Sequence, residues 1–173
     1  WQRPDAIDNK MVLLNPQLAF GTGTHPTTRM CLDWLVNHEV SSSTIIDFGC
    51  GSGILSMMAA KLSKQIIYAI DIDQQALLAS EENAKLNHCF ERIKITDNIN
   101  ELANADILIA NILLSPLLEL AAQFKTLLPK GGELILTGIL NEQAQDIIDH
   151  YQTWIGLKII KQLNGWTLLH GKR

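Results

Sequence analysis

The 173 residues fit one domain, and 47% hydrophobic and 18% charged residues with 11 Gly and 5 Pro exclude disordered, collagen-like and disulfide-scaffold chains. With 14 Lys+Arg against 18 Asp+Glu, the formal net charge of -4 leaves no basic surplus for a phosphate backbone, so no direct nucleic-acid partner is expected. Cys31, Cys50 and Cys89 form no CxxC pair, no apolar run reaches the roughly 18–20 residues of a bilayer span, and no signal peptide opens the chain. These features predict a cytoplasmic protein without a membrane partner or a metal knuckle.

The chain opens at Trp1 with a polar lead to Lys10 and reads as a piece of something longer. Met11–Leu14 is a candidate strand and Gly21–Thr24 a flexible loop. Met30, Cys31, Trp34 and Leu35 then form the apolar face of a helix starting near Thr27, ahead of any sheet. From residue 44 apolar runs alternate with helical patterns, which predicts a parallel sheet with crossover helices. Thr44–Gly49 is the first strand, Ile54, Leu55, Met58, Ala59 and Leu62 mark a helix, and Gln65–Asp71 is the second strand. Asp73 is placed to cap a helix running to about Asn87, with Arg92–Thr96 as a third strand. Asp106–Ile112 is a fourth strand, and after Pro116 a single helical stripe carries Leu117, Leu120, Ala121, Phe124 and Leu127 until Pro129 and Gly131-Gly132 end it. Glu133–Ile139 is a fifth strand, and Asn141 is read as the cap of a helix through Tyr151. Leu157–Leu163 and Trp166–His170 flank Asn164-Gly165, the dipeptide of a type I′ hairpin turn. The expected fold is therefore α/β: a mostly parallel seven-stranded sheet with an antiparallel edge strand and helices on both faces.

The first strand runs into its helix through Asp47-Phe48-Gly49-Cys50-Gly51-Ser52-Gly53, a point where backbone N–H groups can meet a ligand. The GxGxG spacing is not the GxGxxG of dinucleotide dehydrogenases, and no GxxxxGK[ST] is present. Asp71 ends the second strand 22 residues after Gly49, where a carboxylate can accept both hydroxyls of a ribose, so the pair Gly49/Gly51 and Asp71 implies a nucleoside ligand. The plainer readings are a tight turn for the glycines and a helix cap for Asp71, although Asp73 is better placed to cap. Asp97 reads equally as an adenine acceptor or a surface turn.

GxGxG with an acidic end to the second strand resembles the class I, Rossmann-like methyltransferases that use S-adenosylmethionine. At Asn15–Thr28, NPQLAFGTGTHPTT, the resemblance narrows to the bacterial ribosomal protein L-eleven methyltransferase family (PrmA type). It continues through DFGCGSGILS, AIDIDQQAL, ADILIANILLSPLLELA and GGELILTGIL in order. The resemblance implies a domain division: residues 1–14 as a linker from an N-terminal substrate-recognition domain and 15–173 as the catalytic domain. It implies S-adenosylmethionine as cofactor and a large-subunit ribosomal protein as substrate, methylated on lysine side chains and the N-terminal amine. It also points to a monomer. The family's cofactor positions fall on Thr28, Gly49, Asp71 and Asn111. Asn111 is similar to the Asn of NPPY-type amino-group methyltransferases, where its side chain and nearby carbonyls hold the target amine. NILLSP departs from a literal NPPY, which disfavours planar amide-type substrates and agrees with lysine modification.

An amine must be neutral to attack, yet a free lysine has a pKa near 10.4; burial beside a sulfonium would lower it, so no general base is assigned. His25, followed by Pro26, is a candidate for proton transfer or for holding the loop. The other histidines read as surface or interface residues, Cys50 as packing, Trp34, Trp154 and Trp166 as core, Leu113 or Leu114 as packing, and Thr28 alternatively as a helix cap. Three other functions stand beside the favoured one. They are methylation of another protein lysine or small amine, a dinucleotide oxidoreductase disfavoured by the glycine spacing, and a non-catalytic cofactor-binding module.

Overall fold

The computed structural model describes residues 11–15 and 23–173. Residues 1–10 of the expected linker, and Gly21 and Thr22 of the expected loop, lie outside the described residues, as do positions 16–22 of the motif that opens at Asn15.

Helix α1 (Pro26–Asn37) precedes β1 (Ile45–Phe48), α2 (Ile54–Leu62), β2 (Ile67–Ile70), α3 (Gln74–Leu86) and β3 (Ile93–Thr96). Then come β4 (Ile107–Asn111), α4 (Leu114–Glu119), α5 (Ala121–Leu127), β5 (Glu133–Leu140), α6 (Ala144–Tyr151), β6 (Lys158–Leu163) and β7 (Trp166–Lys172). One seven-stranded sheet has the order β3-β2-β1-β4-β5-β7-β6. Strands β1 to β5 pair in parallel, and β7 runs antiparallel between β5 and the edge strand β6.

The two-residue side-chain period divides the core into two layers. Ile45, Ile107 and Ile109 pack on one face with Met30, Leu35 and Met57 of α1 and α2. Ile46, Leu108 and Ala110 pack on the other with Leu117, Phe124, Ile147 and Tyr151 of α4 to α6. The central strands β1, β4 and β5 are thus largely apolar because both faces are covered. Trp34 is buried and stacks on His38, whereas Trp154 and Trp166 are only half-buried.

Local signals set α3 and the hairpin as expected. Asp73 caps α3, accepting the Gln75 N–H at 2.9 Å. Asn164 and Gly165 have φ of 51° and 85°, the two positive values a type I′ turn demands.

Three expectations need correction. Met11–Leu14 joins no strand: its backbone is held by carboxamides of α3, with Asn87 accepting from Leu13 N–H at 2.9 Å and donating to Leu13 O at 2.7 Å. The single helix expected after Pro116 is two short ones. The first starts at Leu114, with Pro116 in its opening turn, where an amide would have no intrahelical partner and a proline costs little. The chain then opens at Leu120 (φ −85°, ψ −3°) before α5 begins. Asn141 does not cap α6. A 3-10 turn, Asn141–Gln143, intervenes, and the Asn141 side chain instead accepts from the Thr167 hydroxyl at 2.8 Å.

Candidate functional site

Strand register brings the site together. Phe48 is level with Ile70 of β2 on one side and with Ala110 of β4 on the other. The next residues, Asp71, Gly49 and Asn111, therefore stand in a row at the carboxyl ends of three adjacent parallel strands. This row lies where the strand order reverses, the crevice in which doubly wound sheets take ligands.

The glycine turn is tied down from behind. Gly49 and Cys50 N–H both donate to Ile70 O, at 2.8 and 3.0 Å, and Gly51 N–H donates to Asp71 Oδ2 at 2.9 Å. These three amides are spent inside the protein, because an unpaired amide in a half-buried turn is costly and the fold pairs it. What Gly49 supplies is space. At φ 77° a side chain would be strained, and a Cβ there would overlap Ile112 Cγ2. The carbonyls of Gly51 and Ser52 are held by α3 through Ser80 Oγ–H at 2.9 Å and Asn83 Nδ2–H at 3.0 Å.

Asp71 is half-buried, and its second oxygen accepts from Asp73 N–H at 3.0 Å. Each carboxylate oxygen thus carries one backbone donor and keeps acceptor capacity facing outward. Asp73, not Asp71, caps α3. Asp97 accepts from Gln74 Nε2 at 2.8 Å, a surface contact.

From the other side, α1 delivers Thr28. It is buried, and its hydroxyl accepts from Asn111 Nδ2 at 3.4 Å. The cap of α1 is His25, whose Nδ1 accepts from Thr27 N–H at 3.4 Å and lies 2.7 Å from Thr27 Oγ1, with the ring edge-on to Trp166. Thr28 is therefore not the cap. The rim carries two large exposed apolar side chains, Ile72 beside Asp71 and Leu113 two residues beyond Asn111. Leu114 is half-buried against the core, so one of the two leucines packs and the other does not.

Sequence reasoning passed over the supporting layer. Asp47 is buried under the turn and accepts from Ser56 N–H at 2.9 Å and Ser56 Oγ–H at 2.6 Å; burial pushes its carboxyl up to about 6. Ser80 and Asn83 were available as a signal, since with Asn87 they fall at helical spacing on one face of α3. Cys50 is buried with Sγ 3.3 Å from Ser80 Oγ, and burial raises its thiol, which agrees with packing and not nucleophilic use.

The family described as ribosomal protein L11 methyltransferase (PrmA) matches over residues 1–173. The chain belongs to this family. It is 44% identical over 172 residues to the ribosomal protein L11 methyltransferase of Vibrio campbellii, a match covering 98% of this chain and 57% of that protein. The chain thus spans a little over half the length of the curated relatives it matches. A crystal structure of a ribosomal protein L11 methylase from Lactobacillus delbrueckii subsp. bulgaricus superposes with TM-score 0.88 at 30% identity, covering 99% of this chain and 90% of that one. A 16S rRNA methyltransferase of T. thermophilus, solved with AdoMet and guanosine, shares the fold at TM-score 0.76 and 16% identity, over 90% of this chain and 45% of that one. The expected family and the expected methyltransferase fold both hold.

Proposed function

We propose that this chain carries the catalytic site of an S-adenosylmethionine-dependent methyltransferase acting on lysine side-chain and N-terminal amines of ribosomal protein L11. One observation carries the reading: Asp71, the glycine turn and Asn111 are aligned across β2, β1 and β4 at the switch point, with Thr28 in contact with Asn111. The residues present suit the cofactor. Asp71 keeps acceptor capacity for a ribose diol, Ile72 offers an apolar face to a purine, Gly49 and Gly51 leave room for close approach, and no Arg or Lys stands in the turn to demand a pyrophosphate.

S-adenosylmethionine supplies an electrophilic methyl group on a cationic sulfur. Held by Asp71 and the glycine turn, it would give that methyl in line to an amine, its former bond to carbon leaving the electron pair on sulfur. Asn111 orients the amine, and Thr28 holds the Asn111 carboxamide in turn. The amine must arrive neutral; burial next to positive sulfur lowers its pKa, and the proton leaves to water. The scheme assigns no proton transfer to His25, whose Nδ1 is engaged in the first turn of α1. The remaining parts of the proposal are residues 1–14 as a lead-in from a substrate-recognition domain, a monomeric state and a cytoplasmic location. The relatives' greater length agrees with the first of these.

The test is calorimetric titration with S-adenosylmethionine and with NAD, repeated on Asp71→Ala, together with transfer of labelled methyl to L11. S-adenosylmethionine should bind, with affinity at least about tenfold weaker in the variant, corresponding to about 1.4 kcal/mol. Binding of NAD alone would overturn the reading.

A further inference from the structure

Strand β5 contains an irregularity beside the site. Leu136 pairs with Leu169 and Ile139 with Thr167, so two residues, Thr137 and Gly138, stand opposite one, Leu168. This is a β-bulge in a buried interior strand, where a glycine has no side chain to pack and weakens the strand. The bulge is pinned by the fully buried Thr137, whose hydroxyl donates to Thr167 O at 2.7 Å. On the other side of β5, Thr137 is level with Asn111 of β4, which sets Gly138 against the residue that follows Asn111.

That neighbour is Ile112, and the approach is backbone to backbone. Gly138 has φ 90°, and a Cβ built on it would overlap Ile112 O and lie 2.8 Å from Ile112 C and 2.9 Å from Ile112 N. On its far side, Ile112 sends Cγ2 into the space left by the missing Cβ of Gly49. The segment leaving Asn111 is therefore wedged between two positions without a side chain, one in the bulge and one in the glycine turn.

We propose that Gly138 is a positioning residue for methyl transfer, its bulge seating the Ile112 peptide and so fixing Asn111 relative to the glycine turn. The proposal rests on the reading of Asn111 as the residue that orients the amine. An alanine at 138 must push the Ile112 peptide away by on the order of 1 Å, and a displacement of that size at a reacting centre can cost about 10²-fold in rate.

The experiment compares steady-state methyl transfer to L11, with kcat and acceptor KM separated, for the unsubstituted chain and four variants. Gly138→Ala should lower kcat about 10- to 100-fold with acceptor KM within about threefold. Thr137→Val, which removes the hydroxyl pinning the bulge at nearly constant size, should lower kcat severalfold, and Thr137→Ser should restore it. Gly171→Ala is the control, because its Cβ meets Gly156 O at 2.8 Å in β7, so it should reduce thermal stability and leave kcat within about threefold. The role is overturned by a folded Gly138→Ala with unchanged kcat, or by an equal loss in Gly171→Ala. If Gly138→Ala does not fold, equal rates for Thr137→Val and Thr137→Ser overturn it. Failure of the unsubstituted chain to bind S-adenosylmethionine overturns the methyltransferase reading and this role with it, whereas transfer that tolerates both bulge variants overturns this role alone.

Discussion

Two side chains in the site region carry opposite kinds of burden. Asn111 sits at the open end of β4 with its amide on Thr28, and its work in the proposed reaction is to orient an amine at the moment of attack. Asn111→Ala should therefore lower kcat by about 10²-fold while the dissociation constant for S-adenosylmethionine shifts far less, a split readable by turnover and calorimetry on the same sample. Asp47 holds the structure beneath. Its carboxyl is raised from an ordinary 3.8 to about 6, chiefly because burial disfavours the charge. The folded chain thus keeps this proton to higher pH than the unfolded chain does. Its contribution is fully favourable below about pH 4, is lost as pH rises through 6, and levels off above about 7. Asp47→Asn removes that dependence, so the variant's stability relative to the parent should climb by on the order of 2–3 kcal/mol between pH 4 and 7.5 in urea unfolding without cofactor. A difference that stays flat with pH would refute the assignment.

Among the elements, α3 does the most for the site without entering it. One face of this helix places Ser80 on the Gly51 carbonyl, Asn83 on the Ser52 carbonyl and on Asn15 N–H, and Asn87 on both polar groups of the Leu13 peptide. The leading segment and the glycine turn are thereby fastened to the same helix. The β6–β7 hairpin is the contrasting case, since its turn requires positive φ at two adjacent residues, Asn164 and Gly165. Nothing lies within 4 Å of a Cβ placed on Gly165, so Gly165→Ala tests backbone strain without a clash. It should destabilise the chain by about 1–2 kcal/mol, seen as a fall in Tm of roughly 3–6 °C, and should leave cofactor affinity unchanged.

For the molecule as a whole, a site assembled from β1, β2, β4 and α1 links ligand binding to global stability. At a cofactor concentration about 100 times its Kd, binding to the folded state alone adds about 2.7 kcal/mol, or roughly 5–10 °C in Tm for a chain of this size. S-adenosylmethionine should produce that shift in scanning calorimetry and NAD should not. A shift with both would mean that the glycine spacing does not discriminate between the two ligands.

Much of this architecture is written locally. Asp73 and Asn164-Gly165 act through bonds and dihedral preferences spanning a few residues, and GxGxG with Asp71 at the next strand end follows from one strand–helix–strand unit. The alternation of apolar runs also determined that the central strands run parallel and are covered on both faces, because strands buried on both sides are largely apolar. The tertiary structure alone decided which partners the distant polar groups take. Asn141 turns to Thr167, Asn87 captures Leu13, and the amides of Gly49 and Gly51 go to Ile70 and Asp71. Gly138 belongs with them: a lone glycine in TGIL signals a bulge, but its neighbour Ile112 is 26 residues away and is brought there only by the pairing of β4 with β5. Contacts of this kind are selected by the register of the assembled sheet, and no local preference encodes them.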